Sequence, residues 1–237
     1  MINRDTPPIH SGDNPGSLNL EVMENAQNYT SYIGRLVSST LPLSGLIIDF
    51  GAGDGKQTQK ICAPSSRVIC IESDSRRITE LRAMGYAVCS SLGELEDQKV
   101  ACIFSINCIE HIADDANLIH QFGRVLMHSG QLVLFVPALP MIYSKMDEVV
   151  GHYRRYTKRS LQSLLVSNGF EIDTIRYVDC LGVVASFLFK MRSGASGTPS
   201  GNSIWVYDRI LFPISRVLDI GLKYVIGKNL FVIARKT

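Results

Sequence analysis

Apolar residues recur along the chain in two alternating patterns, which are short continuous runs and longer stretches with helical spacing. The short runs predict five strands, at residues 46–50, 68–72, 87–90, 100–105 and 131–136. The longer stretches predict helices between them, near residues 56–63, 75–84 and 115–127. This alternation is typical of a parallel sheet with helices on both faces. The pattern therefore predicts a doubly wound α/β fold.

The N-terminal region precedes this alternation. Residues 1–18 are rich in proline, glycine, aspartate and serine, which predicts a mobile leader. Apolar residues at helical spacing then predict a helix at 20–39. We therefore expect a flexible leader with an N-terminal helical cap at 1–40 and a main domain at 41–237.

The C-terminal region extends the main domain. A helix is predicted at 158–168, where Gly169 ends it, and strands are predicted at 170–178 and 230–234. Between these two strands, residues 181–227 form a strongly apolar insertion. We expect this insertion to cap the sheet.

Two apolar stretches of the insertion, 182–190 and 204–226, flank a Gly- and Ser-rich stretch at 193–201 that predicts a flexible loop. Polar residues of the second stretch gather on one helical face: Asp208, Arg209, Ser215, Arg216, Asp219 and Lys223. Such a helix packs on a globular core, which is the interpretation that we favour. The alternative is a peripheral membrane contact through residues 182–226.

Composition is typical of an enzyme with one main domain. The chain has 237 residues, is 46% hydrophobic and carries a net charge of +2, which is too small to indicate a nucleic-acid partner. Its six cysteines form no C-x-x-C pair and are expected to be reduced. Neither a signal-peptide pattern nor an apolar run of about 18 residues is present, so a cytoplasmic location is expected, with any membrane contact at the inner face.

Candidate chemistry begins where the first strand ends. Gly51, Gly53 and Gly55 follow it at alternate positions, and Glu72 ends the second strand. A dinucleotide-binding turn reads G-x-G-x-x-G, whereas here the third glycine comes one residue early and Lys56 takes its place. The spacing favours a nucleoside cofactor without pyrophosphate, with Glu72 accepting hydrogen bonds from ribose hydroxyls. A plain strand-to-helix turn is the alternative.

Three ordered segments resemble class I S-adenosylmethionine-dependent methyltransferases: residues 46–55, 104–112 with Glu110-His111-Ile112, and 125–132. The resemblance implies a Rossmann-like, mostly parallel seven-stranded sheet with an antiparallel terminal strand and helical caps. It implies S-adenosylmethionine as the cofactor. The residues expected to bind it are Asp49, Gly51, Gly53, Gly55, Glu72 and Asn107.

Residues 21–29 and 147–156, the latter with the run Gly151-His152-Tyr153-Arg154-Arg155-Tyr156, further resemble a bacterial subgroup of these enzymes that is often associated with glycan, glycolipid and secondary-metabolite pathways. In this family, acceptor-facing residues are usually inserted after the fifth strand, where His152 and then Tyr153, Arg154 and Arg155 stand. We expect these three to bind the substrate and His152 to act as a general base. A solvated basic turn is the alternative.

His111 is the second candidate for acid–base chemistry, although it can equally pack on the following helix. No metal is expected, since His111, His152 and the scattered carboxylates do not form a ligand cluster in the sequence. The predicted reaction is methyl transfer to a hydroxyl or amine of a small-molecule, glycan or lipid-linked acceptor.

Nucleobase acceptors are disfavoured because Asn107 is not followed by the Pro-Pro-aromatic run of amino-methylating nucleic-acid enzymes. Two other functions remain open. One is a nicotinamide-dependent oxidoreductase, which the glycine spacing opposes. The other is a catalytically silent protein that binds the cofactor or a partner.

Overall fold

The computed structural model describes residues 26–192 and 201–237, so the predicted leader and most of the predicted loop at 193–201 lie outside the described residues. The chain forms one seven-stranded sheet with the order β3-β2-β1-β4-β5-β7-β6. Its strands are β1 (Leu46–Phe50), β2 (Val68–Ile71), β3 (Ala87–Cys89), β4 (Val100–Ile106), β5 (Leu126–Pro137), β6 (Phe170–Val178) and β7 (Asn229–Lys236).

Helices flank the sheet on both faces. They are α1 (Gln27–Ser38), α2 (Lys56–Ile61), α3 (Ser75–Ala83), α4 (Asp115–Val125), α5 (Lys145–Val149), α6 (Lys158–Ser167), α7 (Cys180–Arg192), α8 (Gly201–Val206) and α9 (Phe212–Leu222). A π-helical turn (Tyr207–Leu211) joins α8 to α9. Strands β1 to β5 pair in parallel, whereas β7 lies antiparallel between β5 and β6. The predicted Rossmann-like fold with an antiparallel terminal strand is confirmed.

Two predicted helices are shorter than expected. Helix α4 ends at Val125 because Leu126 already pairs with Val100 as the first residue of β5. Helix α2 ends at Ile61, since Cys62 adopts an extended backbone with φ −150° and ψ 135°. Apolar periodicity does not show such ends, because a residue that pairs in a strand and one that packs in a helix can be equally apolar.

The strand order determines where a ligand-binding site is expected. The chain runs outward from β1 through β2 to β3 and then returns to β4 on the other side of β1. Connections leave the carboxyl ends of β1 and β4 in opposite directions, so a crevice opens between them. In open α/β sheets, ligands bind in this crevice.

One sheet face is covered by α1 and by the helical cap, which is our name for α7, α8, the π-helical turn and α9. Aromatic packing joins these elements, because the ring of Tyr29 in α1 lies 5.0 Å from that of Phe212 in α9 and 6.3 Å from that of Phe135 in β5. Among the helices of residues 26–192 and 201–237, none is long and apolar enough to cross a membrane.

Polar residues of the second apolar stretch do not share one environment. Asp208, Ser215 and Asp219 are buried, whereas Arg209 and Arg216 are exposed. The buried carboxylates accept backbone hydrogen bonds: Asp208 from the N–H groups of Asn28 and Tyr29, and Asp219 from those of Asp179 and Cys180. These bonds satisfy amide groups at the ends of other elements and thereby tie the cap to the sheet.

Candidate active site

Three glycines form the turn after β1 in left-handed backbone conformations, with φ values of +79° at Gly51, +58° at Gly53 and +75° at Gly55. Side chains are disfavoured in this region because their Cβ atoms crowd the backbone. A Cβ on Gly51 would also lie 2.3 Å from the Sγ atom of Cys108. The turn therefore depends on glycine at this position both for its backbone conformation and for its close approach to the segment after β4.

Glu72 connects this turn to the end of β2. Its Oε2 atom accepts a hydrogen bond from the Gly53 N–H at 2.9 Å, and Oε1 accepts from the N–H groups of Ser73 at 2.8 Å and Asp74 at 3.0 Å. The residue is 9% exposed. Each carboxylate oxygen has further lone-pair capacity, so Glu72 can hold the turn and still accept hydrogen bonds from a ligand.

A cavity of about 1110 Å³ lies at this crevice. Five of the six predicted cofactor residues line it: Asp49, Gly51, Gly53, Glu72 and Asn107. Gly55 lies instead at the start of α2, where an added Cβ would meet Leu81 at 2.7 Å and Met84 at 3.0 Å. Glycine at this position allows close packing against α3, whereas its part in cofactor binding stays a prediction.

Asp49 is a buried carboxyl group on the cavity wall. Burial, with a further contribution from the negative charge of Glu72, raises its pKa to about 7, although a hydrogen bond from the Thr58 hydroxyl at 2.6 Å works against this rise. Asp49 is therefore largely protonated below neutral pH, and it can then donate a hydrogen bond as well as accept one.

A second cavity of about 260 Å³ adjoins the first, because Asn107 and Val150 line both. Its other walls come from four parts of the fold. They include Tyr29 of α1, Asp147 with His152 and Arg155 from the segment after β5, Phe189, Ile204 and Tyr207 of the helical cap, and Lys228 before β7. A ligand in this cavity would therefore lie next to one in the first cavity.

His152 is fixed by two neighbours in the second cavity. Its Nδ1 atom lies 2.9 Å from Oδ1 of Asp147, and the guanidinium of Arg155 donates to the same oxygen at 2.8 Å. Burial alone would raise the pKa of Asp147, but the hydrogen bond from His152 and the charge of Arg155 outweigh burial and lower it to about 2. Asp147 is therefore an ionised acceptor that orients the imidazole.

Glu110 and His111 adjoin His152. The two imidazole rings are 4.6 Å apart, and Oε1 of Glu110 lies 3.7 Å from Nε2 of His152. Burial raises the pKa of Glu110 to about 8, and burial together with His152 lowers that of His111 to about 4. One ligand-type atom from each of the three residues lies within 4.8 Å of the others. The expectation that these residues form no ligand cluster is therefore wrong.

The predicted substrate residues diverge in the structure. Arg155 lines the second cavity and Tyr153 lines the first, although Tyr153 is 62% exposed. Arg154 is absent from the lining of both cavities and pairs with Asp115 at 2.7 Å. Asp147 begins the stretch 147–156, but sequence reasoning assigned it no role, because its contact with His152 five residues later appears only in the folded chain.

Comparison with known proteins agrees with this geometry. Residues 48–134, which include most of β1, all of β4 and most of β5, match the family profile described as a methyltransferase domain. This part of the chain is therefore identified as a methyltransferase domain. A probable S-adenosylmethionine-dependent methyltransferase of Mycobacterium tuberculosis strain H37Rv is 27% identical over 131 residues, which are 52% of this chain and 48% of the relative. The chain thus spans about half the length of this curated relative.

Solved structures share the fold of this methyltransferase domain. A geranyl diphosphate methyltransferase in complex with S-adenosylmethionine superimposes with a TM-score of 0.61 at 14% identity, covering 96% of this chain and 92% of its own. An S-adenosylmethionine-dependent methyltransferase from Thermotoga maritima gives a TM-score of 0.58 at 17% identity, with coverage of 94% and 100%. The [4+2]-cyclase SpnF also matches, with a TM-score of 0.58 at 16% identity and coverage of 87% and 80%. The same fold thus also occurs in an enzyme named a cyclase, so the fold alone does not determine the reaction.

Proposed function

We propose that this chain transfers a methyl group from S-adenosylmethionine, bound in the first cavity, to a hydroxyl or amine of an acceptor bound in the second. The observation that carries the proposal is the junction of the two cavities at Asn107, at the carboxyl end of β4. A methyl donor and an acceptor can meet there without crossing solvent. Holding the two reacting atoms in line is the main requirement of such a transfer.

The first cavity suits the cofactor because of its glycine turn and two carboxyl groups. Gly51 and Gly53 expose backbone to the cavity, Glu72 would accept hydrogen bonds from ribose hydroxyls, and protonated Asp49 adds a hydrogen-bond donor on the cavity wall. When bound, S-adenosylmethionine supplies an electrophilic methyl group on its sulfonium. The G-x-G-x-G spacing and the family match favour it over a nicotinamide dinucleotide.

The second cavity suits an acceptor with a polar head and an apolar body. Arg155 and Lys228 supply positive charge, and the ammonium of Lys228 lies 5.5 Å from the ring centre of Tyr207. Phe189 and Ile204 form an apolar wall. Small-molecule and lipid-linked acceptors both fit this description, and an anionic group on the acceptor would complement Arg155.

We assign to His152 the removal of a proton from the acceptor. Asp147 holds its Nδ1 atom, so Nε2 remains the functional nitrogen. Tyr153 and Arg155 of the same turn would contact the bound cofactor and the acceptor, respectively, whereas Arg154 would steady the turn through Asp115.

Calorimetry with S-adenosylhomocysteine and a methyl-transfer assay test these assignments together. We expect His152→Ala to bind S-adenosylhomocysteine within twofold of the wild type and to lose about 10²- to 10⁴-fold in turnover. His128→Ala is the matched control, since His128 is exposed on β5. Absence of S-adenosylhomocysteine binding by the wild type would overturn the function. Binding with no transfer to any acceptor of the described chemistry would establish the silent cofactor-binding alternative.

The outer surface of the helical cap favours a lipid-linked acceptor. Large apolar side chains are exposed along it: Val184, Phe187, Leu188, Met191, Trp205, Ile210, Ile214, Val217 and Ile220. In residues 180–191 and 202–225, the exposed charged side chains are basic (Lys190, Arg209 and Arg216) and both acidic ones are buried. An apolar surface bordered only by positive charge matches an anionic lipid bilayer.

We therefore propose peripheral contact with anionic membranes through residues 182–192 and 201–226, close to the cap residues that line the second cavity. Sedimentation with vesicles of phosphatidylglycerol or phosphatidylcholine tests it. We expect at least tenfold stronger binding to the anionic vesicles and a loss of at least tenfold in Ile214→Asp, with Arg159→Asp on exposed α6 as control. Equal binding by the Ile214 variant, or dimerisation in place of vesicle binding, would refute the proposal.

A further inference from the structure

Three buried polar atoms beside the second cavity, the two carboxylate oxygens of Glu110 and Nε2 of His152, have no hydrogen-bond partner among the described residues. Glu110 is 0% exposed, and neither of its carboxylate oxygens has a hydrogen-bond partner among residues 26–192 and 201–237. The Nε2 atom of His152 likewise has no partner in that part of the chain, and its 3.7 Å separation from Glu110 exceeds a hydrogen bond. Buried polar atoms are nearly always satisfied, so this arrangement requires an explanation.

The neighbours of His152 determine what Nε2 can do. Asp147 accepts hydrogen bonds from Ser144 and Arg155, so it presents only acceptor capacity to Nδ1 of His152. The Nδ1 atom therefore carries the proton, which leaves a lone pair on Nε2 in the neutral ring. A carboxylate that holds the far nitrogen of an imidazole is the usual support of a metal-binding histidine.

The geometry points to a divalent metal site at Glu110, His111 and His152. We propose that an ion binds one carboxylate oxygen and one imidazole nitrogen from each histidine. Metal–ligand bonds of about 2.1 Å separate ligand atoms by about 3.4 Å in a tetrahedral site, and by about 3 Å between adjacent or about 4 Å between opposite positions in an octahedral site. The 3.7 Å distance between Oε1 of Glu110 and Nε2 of His152 falls in this range, and all three atoms lie within 4.8 Å. Where two of these atoms are wider apart than the ligand spacing, ion binding requires a side-chain rotation that brings them closer.

The ligand types select the class of ion. Two imidazoles and one carboxylate suit first-row transition ions such as Zn²⁺, Co²⁺ or Mn²⁺, whereas Mg²⁺ and Ca²⁺ prefer oxygen ligands throughout. Three protein ligands leave at least one coordination position for water or a ligand oxygen. His111 lines the first cavity and His152 the second, so this position lies near their junction.

A role follows if the proposed methyl transfer is correct, on which this part of the inference rests. An acceptor hydroxyl at the open coordination position would release its proton to solvent water more readily, because the bound cation stabilises the oxyanion that is left. His152 would then be a ligand that acts on the acceptor through the ion. Ion binding itself does not depend on the reaction.

Binding is measured on the full chain after treatment with a chelator. We expect one equivalent of Zn²⁺ by calorimetry, a Co²⁺ absorption spectrum without thiolate charge-transfer bands, and a higher unfolding temperature with Zn²⁺. His111→Ala and His152→Ala should each lose at least 100-fold in Zn²⁺ affinity. Asp147→Asn should lose about 10- to 100-fold, because it removes the support of His152 rather than a ligand.

His128→Ala is the matched control and should bind Zn²⁺ as the wild type does, since His128 is exposed on β5. S-adenosylhomocysteine affinity, measured on every variant, reports folding; if Glu110→Gln does not fold, the two histidine variants decide. The site would be overturned if the wild type bound no equivalent of Zn²⁺, if both histidine variants bound it normally, or if Co²⁺ showed thiolate ligation. In those cases normal S-adenosylhomocysteine binding would leave the proposed function intact.

Discussion

Glu72→Gln tests the link between the glycine turn and cofactor binding. The carboxylate accepts three backbone hydrogen bonds, from Gly53, Ser73 and Asp74, at 2.8 to 3.0 Å. Glutamine has the same shape but offers one oxygen, so its amide N–H group must face a backbone N–H donor whichever way it is oriented. At least one hydrogen bond to a charged acceptor is lost, at a cost of about 1.5–3 kcal/mol.

We expect this cost to appear in ligand binding, because Gly53 and Glu72 line the same cavity. Affinity for S-adenosylhomocysteine should fall about 10- to 100-fold by calorimetry, since each 1.4 kcal/mol is about tenfold. Urea unfolding measures how much of the loss is a change in stability. Glu80→Gln is the control, because Glu80 pairs with Arg76 on the exposed face of α3. Affinity within twofold of the wild type in a folded Glu72→Gln protein would refute the reasoning.

Three further predictions concern the same framework. Gly51→Ala should lower the free energy of unfolding by about 1–3 kcal/mol in urea denaturation, because φ is +79° and its Cβ would overlap Cys108; an unchanged midpoint would contradict this. The native state retains the Asp49 proton up to a pKa of about 7 whereas the unfolded chain loses it near 3.8, so stability falls as the pH rises between these values. Between pH 4 and pH 8, the free energy of unfolding of the wild type should fall by about 4 kcal/mol more than that of Asp49→Asn. Parallel pH profiles of the two proteins would refute this prediction. Asp208→Asn should cost about 1–3 kcal/mol by leaving the Tyr29 N–H or its neighbour without an acceptor; hydrogen exchange at the start of α1 should rise, and unchanged exchange would count against the reasoning.

Much of the fold and part of the site could be predicted from local sequence. Alternating apolar runs indicate the strands and helices, because periodicity reflects which face of each element is buried. Three glycines at alternate positions predict the turn, since left-handed backbone excludes most side chains. Glu72 was found by its place at the end of β2, and the structure puts it against Gly53. These signals depend on residues that are close in sequence, so they can be recognised without the tertiary structure.

Long-range packing decided the rest. His111 and His152 lie 41 positions apart in sequence, and only the segment that follows β5 brings their rings within 4.6 Å. Asp208 and Asp219 occur in an apolar stretch, where periodicity assigns them to a polar face, yet both turn inward to hold amide groups of α1 and α7. The sequence determined the elements, the turn and the class of cofactor, because each depends on neighbours along the chain. The tertiary structure decided where the second cavity forms and that Glu110, His111 and His152 lie together, because contacts between distant residues depend on how the elements pack.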